Sequence, residues 1–258
     1  FNAIKSEIYS KGLSSGSMVL QAFSVIGCIS IGLVIMRIFG YLPTMKMAIL
    51  AVSVIAMILG ICMAMTQDDF KRVIAYLAVG ELGYIGVGIG LGTAYSMTAG
   101  LFQATNELVV TSMLFAAFGL VLYKTKTSKI SNLGGLIEDM PAAALLTVLA
   151  GFIMAGIPPF SVFQSKYMLC QAAMAQGIPE LAIIMIILSI VTFLAFLKIT
   201  YMVFLRPKPA ELKVSKSKIP KVTMAVLVLF LVISLVVGLF PGLVVDKLGL
   251  MALATLIL

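Results

Sequence analysis

The chain has 258 residues, of which 62% are hydrophobic and 11% charged, and its mean hydropathy is +1.17. A soluble domain carries roughly 25% charged residues, so a water-covered globule is excluded and a lipid bilayer is the solvent this composition fits. The net charge of +8 does not indicate nucleic acid, because Lys and Arg gather in short loops between apolar runs, where such charge sets topology.

A spanning helix needs about 20 mostly apolar residues. Such stretches fall near 17–39, 45–65, 70–92, 97–123, 141–176, 181–205 and 220–240, with a short apolar piece at 244–258. The expected fold is therefore an all-α integral membrane protein, a single transmembrane domain over 1–258 with about seven transmembrane helices. The chain opens at Phe1 without an initiator Met or a signal peptide, and an N-terminal part is expected to be missing. In the third stretch, Gly83, Gly86, Gly88, Gly90 and Gly92 suit close helix approach. They lack the strand-and-helix context of a dinucleotide fold.

The stretch 141–176 is too long for one straight helix, and Gly156-Ile157-Pro158-Pro159 lies in its middle. Two prolines remove backbone donors and interrupt the ladder. Pro158 and Pro159 thus mark an expected helix break at mid-membrane, a feature common around ion sites; a proline kink serving only packing is the alternative.

Basic residues alternate between loops. Lys5 and Lys11, Lys71 and Arg72, Lys124, Lys126 and Lys129, and the run from Arg206 to Lys221 precede the first, third, fifth and seventh spans. The positive-inside rule places these loops in the cytoplasm and the chain, as a multi-pass protein, in the cell (inner or cytoplasmic) membrane. Cys28, Cys62 and Cys170 are scattered through apolar runs, and histidine is absent. No metal site, disulfide or cofactor site can be drawn from them, and the thiols read as small buried apolar groups.

Glu81, Glu107, Lys166 and Lys198 lie inside apolar spans. A charge at mid-helix costs about 2.5–3.5 kcal/mol on insertion scales, and by default it marks an ion or proton route. Gln103, Glu107 and Thr111 recur every four residues, which places them in one column. Lys166 follows the Pro158-Pro159 break by about two turns. Burial draws lysine and carboxylate protonation towards neutrality, which suits both to proton exchange. Against this stand blander readings: Glu81 or Glu107 as protonated helix–helix hydrogen-bonders, and Lys198 as a lysine snorkelling to the interface near Arg206.

Three segments carry a family resemblance. Asp69-Phe70-Lys71-Arg72-Val73-Ile74-Ala75-Tyr76 with Gly83-Tyr84, Leu133-Gly134-Gly135-Leu136 with Met140-Pro141, and Ala155-Gly156-Ile157-Pro158-Pro159-Phe160 with Phe163-Gln164-Ser165-Lys166 resemble, in order and spacing, the antiporter-like proton-translocating membrane subunits. These occur in respiratory complex I, Mrp-type sodium/proton antiporters and membrane-bound energy-converting hydrogenases. The chain corresponds to the second half of such a subunit, and Lys5-Ser6-Glu7 resembles the end of a His-x-Glu-Ala-Pro loop. The resemblance implies that Lys166 is the lysine of the distal broken helix on the proton exit route, and that Lys71 belongs to the central polar axis. The chain departs from the pattern where the family has His-x-x-x-His-x-x-x-Lys: it carries Gln103, Glu107 and Thr111. The first span has apolar residues from Phe23 to Ile29 where a lysine or histidine is expected, and Glu81 replaces a histidine or glutamine.

The resemblance implies a proton- or cation-translocating subunit of a redox-driven complex, with Lys71, Glu81, Gln103, Glu107, Thr111, Lys166 and Lys198 as candidate ion-translocation residues. It implies other membrane subunits and a cytoplasmic-side redox module as partners, with the lipid bilayer as surroundings. The residues themselves show no cofactor site, paired acid and base or nucleophile motif, so no active site is expected on this chain. The alternatives are a non-pumping structural subunit of such a complex, and a Mrp-type antiporter subunit without redox coupling.

Overall fold

The computed structural model describes residues 14–39, 42–210, 212, 214, 215 and 220–257. Lys5, Ser6, Glu7, Lys11 and part of the basic run between Arg206 and Lys221 lie outside the described residues, as does the side chain of Arg37. The described chain is all-helical: α1 (Ser14–Phe39), α2 (Pro43–Thr66), α3 (Phe70–Leu91), α4 (Ala94–Thr125), the single turn α5 (Leu136–Asp139), α6 (Pro141–Ala155), α7 (Ser161–Ala175), α8 (Pro179–Thr200), α9 (Lys221–Leu239) and α10 (Gly242–Ile257).

Five of these are long and apolar enough to cross a bilayer among the described residues: α2, α3, α4, α8 with its continuation to Leu205, and α9. The stretch read as one broken span, 141–176, resolves into α6 and α7, each of 15 residues and about 22 Å long. Each alone is shorter than a hydrocarbon core of about 30 Å. The interruption follows from the local sequence. Gly156 takes a left-handed φ of 79°, and Pro158 and Pro159 supply no N–H to continue the ladder.

Helix ends are set by recognisable chemistry. Asp69 caps α3 by accepting from the backbone N–H of Lys71 at 2.9 Å and of Arg72 at 3.4 Å, and Gly92 closes it in the left-handed region. Thr93 and Ser96 form a reciprocal capping box at the start of α4, which satisfies two helix-end groups at once. Pro141 and Pro179 open α6 and α8, where a missing N–H costs nothing.

α4 is the axis of the bundle, packing against α1, α3, α6, α7, α9 and α10. α3, sandwiched against α2 and α4, is buried over nearly its whole length. The glycines make this possible. A Cβ at Gly60 of α2 would come within 2.5 Å of the Gly80 nitrogen, and one at Gly88 within 2.5 Å of the Gly100 Cα on α4. Backbones thus meet where side chains would keep them apart, the small-residue mode of membrane helix packing. Cys28 and Cys170 are partly buried, whereas Cys62 faces outward on α2; its reading as a buried thiol is corrected by the side of α2 it occupies, away from α3.

The loops at one end of the bundle are tied together. Asp68 accepts from the Ser131 N–H at 2.8 Å and hydroxyl at 2.6 Å, and Ser128 donates to Asp69. Arg206 donates to the carbonyls of Ser131 and Leu133, both at 2.6 Å. These bonds fix the start of α3 and the approach to α6, and so the depth at which each presents its polar residues.

Candidate ion-translocation site

Glu81 lies near the middle of α3, Gln103 on α4 and Lys166 on α7, and all three are buried. The Lys166 Nζ donates to Glu81 Oε1 at 2.8 Å and to the Met154 carbonyl at 3.1 Å. It also sits 4.5 Å from the centroid of the Tyr84 ring, close enough for a cation–π contact. The Met154 carbonyl is in the last turn of α6, where helix carbonyls lack intrahelical donors. The break thus supplies one of the lysine's two hydrogen-bond acceptors. The side chains of Lys166 and Glu81 are 7% and 1% exposed, so this is a desolvated ion pair rather than a surface contact.

Gln103 Nε2 donates to the other Glu81 oxygen, Oε2, at 2.7 Å. Its own oxygen accepts from the Ser165 hydroxyl at 2.5 Å. Asn106, one turn further along α4, donates from Nδ2 to Ser165 Oγ at 3.0 Å and to the Ser161 carbonyl at 3.1 Å. The first turn of α7 is thereby fastened to α4 beside the ion pair. From the other side, Ser234 of α9 bonds the Ser161 hydroxyl at 3.0 Å and accepts the Ser161 N–H at 3.4 Å. The polar groups freed at the break are therefore met by α4, α9 and Lys166. Tyr84 is held in turn by α8, donating to the Met185 carbonyl at 2.8 Å, with the Ser189 hydroxyl at 3.2 Å.

A second polar group lies one turn along α4 from Gln103. Glu107 Oε1 accepts from Thr111 at 2.6 Å and from Gln21 Nε2 of α1 at 2.7 Å. All three residues are buried.

Of the residues singled out in the sequence, Glu81, Gln103 and Lys166 form one cluster, and Glu107 with Thr111 forms a neighbouring one. Lys71 does not join either: it is half-buried in the first turn of α3, ten residues and about 15 Å along the axis from Glu81. Lys198 is exposed and donates to the Met65 carbonyl at 3.1 Å. It borders a cavity of about 120 Å³ with Gln67 and Asp68, at the same end as the tied loops. That contact serves the carbonyl end of α2. Gln21 and Asn106 are polar contributors that charge and motif alone did not single out, and Ser165, present in the Phe163-Gln164-Ser165-Lys166 segment, was not among the candidate ion-translocation residues. Gln21 carried a signal, being one amide in the otherwise apolar stretch 18–23. Among the described residues, no group of His, Cys, Asp and Glu side chains could hold a metal ion.

Residues 6–193 match the family model described as NADH:quinone oxidoreductase/Mrp antiporter, transmembrane. An uncharacterized protein of Methanocaldococcus jannaschii is 36% identical over 253 residues, covering 96% of this chain and 52% of its own length. NADH-ubiquinone oxidoreductase chain 2 of Marchantia polymorpha is 33% identical over 193 residues, covering 72% of this chain and 39% of its own length. The chain thus spans about half, or less, of the length of the curated relatives it matches. A subunit of the Mrp complex from Dietzia sp. DQ12-45-1b superposes with a TM-score of 0.88 at 23% identity, over 96% of this chain and 54% of that one. At that identity the superposition establishes the fold alone.

Proposed function

The chain belongs to the NADH:quinone oxidoreductase/Mrp antiporter transmembrane family, and from that premise we propose that it is a proton- or cation-translocating subunit of a multi-subunit membrane complex driven by redox chemistry on other chains. The observation that carries the proposal is the buried Glu81–Lys166 pair, 2.8 Å between charged atoms, set against the end of a broken helix. A charge inside a membrane span is expensive, and such residues face partners or water along ion routes. In this pair the ammonium is shared between a carboxylate and a carbonyl exposed by the break, so a change of charge nearby shifts it between two acceptors already in place. Glu107 with Gln21 and Thr111 is the adjoining station, and Lys71 lies on the approach from the end of the tied loops.

In this reading α1 to α4, the α6–α7 pair, α8 and α9 make seven crossings of the cytoplasmic membrane, with the break at mid-depth. The chain is one transmembrane domain, the second half of an antiporter-like subunit. The basic end bearing Lys71, Lys129 and Arg206 faces the cytoplasm, where a redox module would dock, while other membrane subunits flank the bundle.

The test is Lys166→Ala in the intact complex. Coupled ion transport into proteoliposomes is expected to be lost, while the complex stays assembled and its electron transfer continues. Undiminished pumping by this variant would overturn the assignment.

A further inference from the structure

The hydrogen bonds around Glu81 have a second arrangement in which every donor and acceptor is still met. Glu81 Oε1 faces the Lys166 ammonium at 2.8 Å, while Oε2 faces Gln103 Nε2 at 2.7 Å. A proton that reaches Glu81 while Lys166 stays charged is disfavoured on Oε1, whose electron density the ammonium draws on, and goes to Oε2. That oxygen then becomes a donor, and it faces another donor, the Gln103 amide nitrogen. A buried donor left without an acceptor is costly, and the new O–H finds one here when the Gln103 amide turns over and presents its oxygen.

Ser165 makes that turn possible. With the amide as it stands, the Ser165 hydroxyl donates to Gln103 Oε1 at 2.5 Å and accepts from Asn106 Nδ2 at 3.0 Å. With the amide turned, Gln103 Nε2 would approach Ser165 Oγ and need an acceptor. The hydroxyl can then redirect its proton to the Val162 carbonyl, which lies 3.1 Å away. Its two lone pairs accept from Asn106 and Gln103 together, which is the full capacity of a hydroxyl. The proton count is the same before and after apart from the one added to Glu81.

We propose that Gln103 and Ser165 form a hydrogen-bond switch that turns over when Glu81 takes up a proton beside a charged Lys166, with Ser165 as the positioning residue. The other titratable groups facing this point are few. Lys166 and Cys170 come from α7, Tyr84 from α3 itself, and Glu107 from one turn along α4. α8 offers Tyr84 the Met185 carbonyl and Ser189. α2 meets α3 through Gly60, Met57 and Ser53, and α1 through Cys28 against the Leu82 carbonyl.

The switch rests on the ion-translocation reading for its purpose but not for its detection. In the intact complex in lipid, infrared difference spectra across a pH titration would follow the carboxylic acid band of Glu81, assigned by Glu81→Gln. The Gln103 amide band, shifted by carbon-13 glutamine and assigned by Gln103→Leu, is expected to move together with it. Ser165→Ala should uncouple the two bands and slow ion transport about tenfold, and Ser165→Thr, which keeps the hydroxyl, should restore both. A Glu81 band that titrates while the Gln103 band stays fixed in the unsubstituted protein would overturn the switch. Coupled bands in a complex that moves no ions would leave the switch standing and refute the transport reading instead.

Discussion

The ion pair can be weighed by a double-mutant cycle on Lys166→Met and Glu81→Leu. Lys166 makes two hydrogen bonds, at 2.8 and 3.1 Å, and a ring contact at 4.5 Å. Hydrogen bonds to charged groups contribute about 1.5–3 kcal/mol each and a desolvated cation–π contact up to about 2. Against these stands a desolvation cost of several kcal/mol per ion. Removing one partner strands the other, so each single substitution should cost about 3–5 kcal/mol, while the apolar double variant should recover most of that loss. The expected coupling, the two single losses together less that of the double variant, is about 4 kcal/mol or more, measured by reversible unfolding in mixed micelles. Interhelical hydrogen bonds in a membrane protein average about 0.6 kcal/mol and reach about 1.7, so the two explanations are separable. Coupling below about 1 kcal/mol, with the single losses simply adding, would refute a desolvated pair and leave an ordinary interhelical contact.

Packing and capping give two further tests on the same unfolding assay. Gly88→Val places a Cβ 2.5 Å from the Gly100 Cα and 2.8 Å from the Ser96 carbonyl, neither of which can rotate away, and should cost at least about 1–3 kcal/mol. Gly27→Ala meets nothing within 4 Å and should be neutral or stabilising by up to about 1 kcal/mol through helix propensity. Equal losses at the two positions would refute the close-approach argument. Asp69→Ala removes the cap of α3 and the acceptor for Ser128, for an expected loss of about 1–2 kcal/mol. Asp69→Asn, which keeps a capping oxygen, should recover much of it.

The membrane class was legible because hydropathy is a property of composition, and the helix interruption because Gly156, Pro158 and Pro159 act locally. The column on α4 was legible in part for the same reason. Thr111 does reach Glu107, four residues away on one helix. Gln103 instead turns to Glu81, because the neighbour that decides its direction lies on α3. Glu81 and Lys166 each stood out as a charge in an apolar span, yet they are 85 residues apart in sequence. Their pairing depends on how α3 and α7 are placed, α3 by its glycine contacts with α2 and α4 and α7 by the bonds of Ser161 and Ser165 to Asn106 and Ser234. Lys198 lay inside an apolar run by count, but the end of α8 carries it to the bundle's edge. Asn106 gave no signal because a neutral polar residue in a membrane helix is common, and only the partner across the interface distinguishes it. Ser165 stood in the Phe163-Gln164-Ser165-Lys166 segment, but its partners on α4 could not be read from there.

One turn of α4 separates Gln103, which bonds Glu81, from Glu107, which bonds Gln21 and Thr111. A turn rises about 5.4 Å, so the two carboxylates lie on the order of 10 Å apart. At an effective dielectric constant of about 20, two unit charges at that separation interact by about 1.7 kcal/mol, more than tenfold in an equilibrium. On the proposed function, gaining or losing a charge at Glu107 would be felt at Glu81, with Lys166 as its ion-pair partner. The element between Gln103 and Glu107 is a continuous stretch of α4, so the coupling does not depend on a loop. On the same proposed function, Glu81 on α3 with Gln103 and Glu107 on α4 would stand where the family pattern has a basic relay.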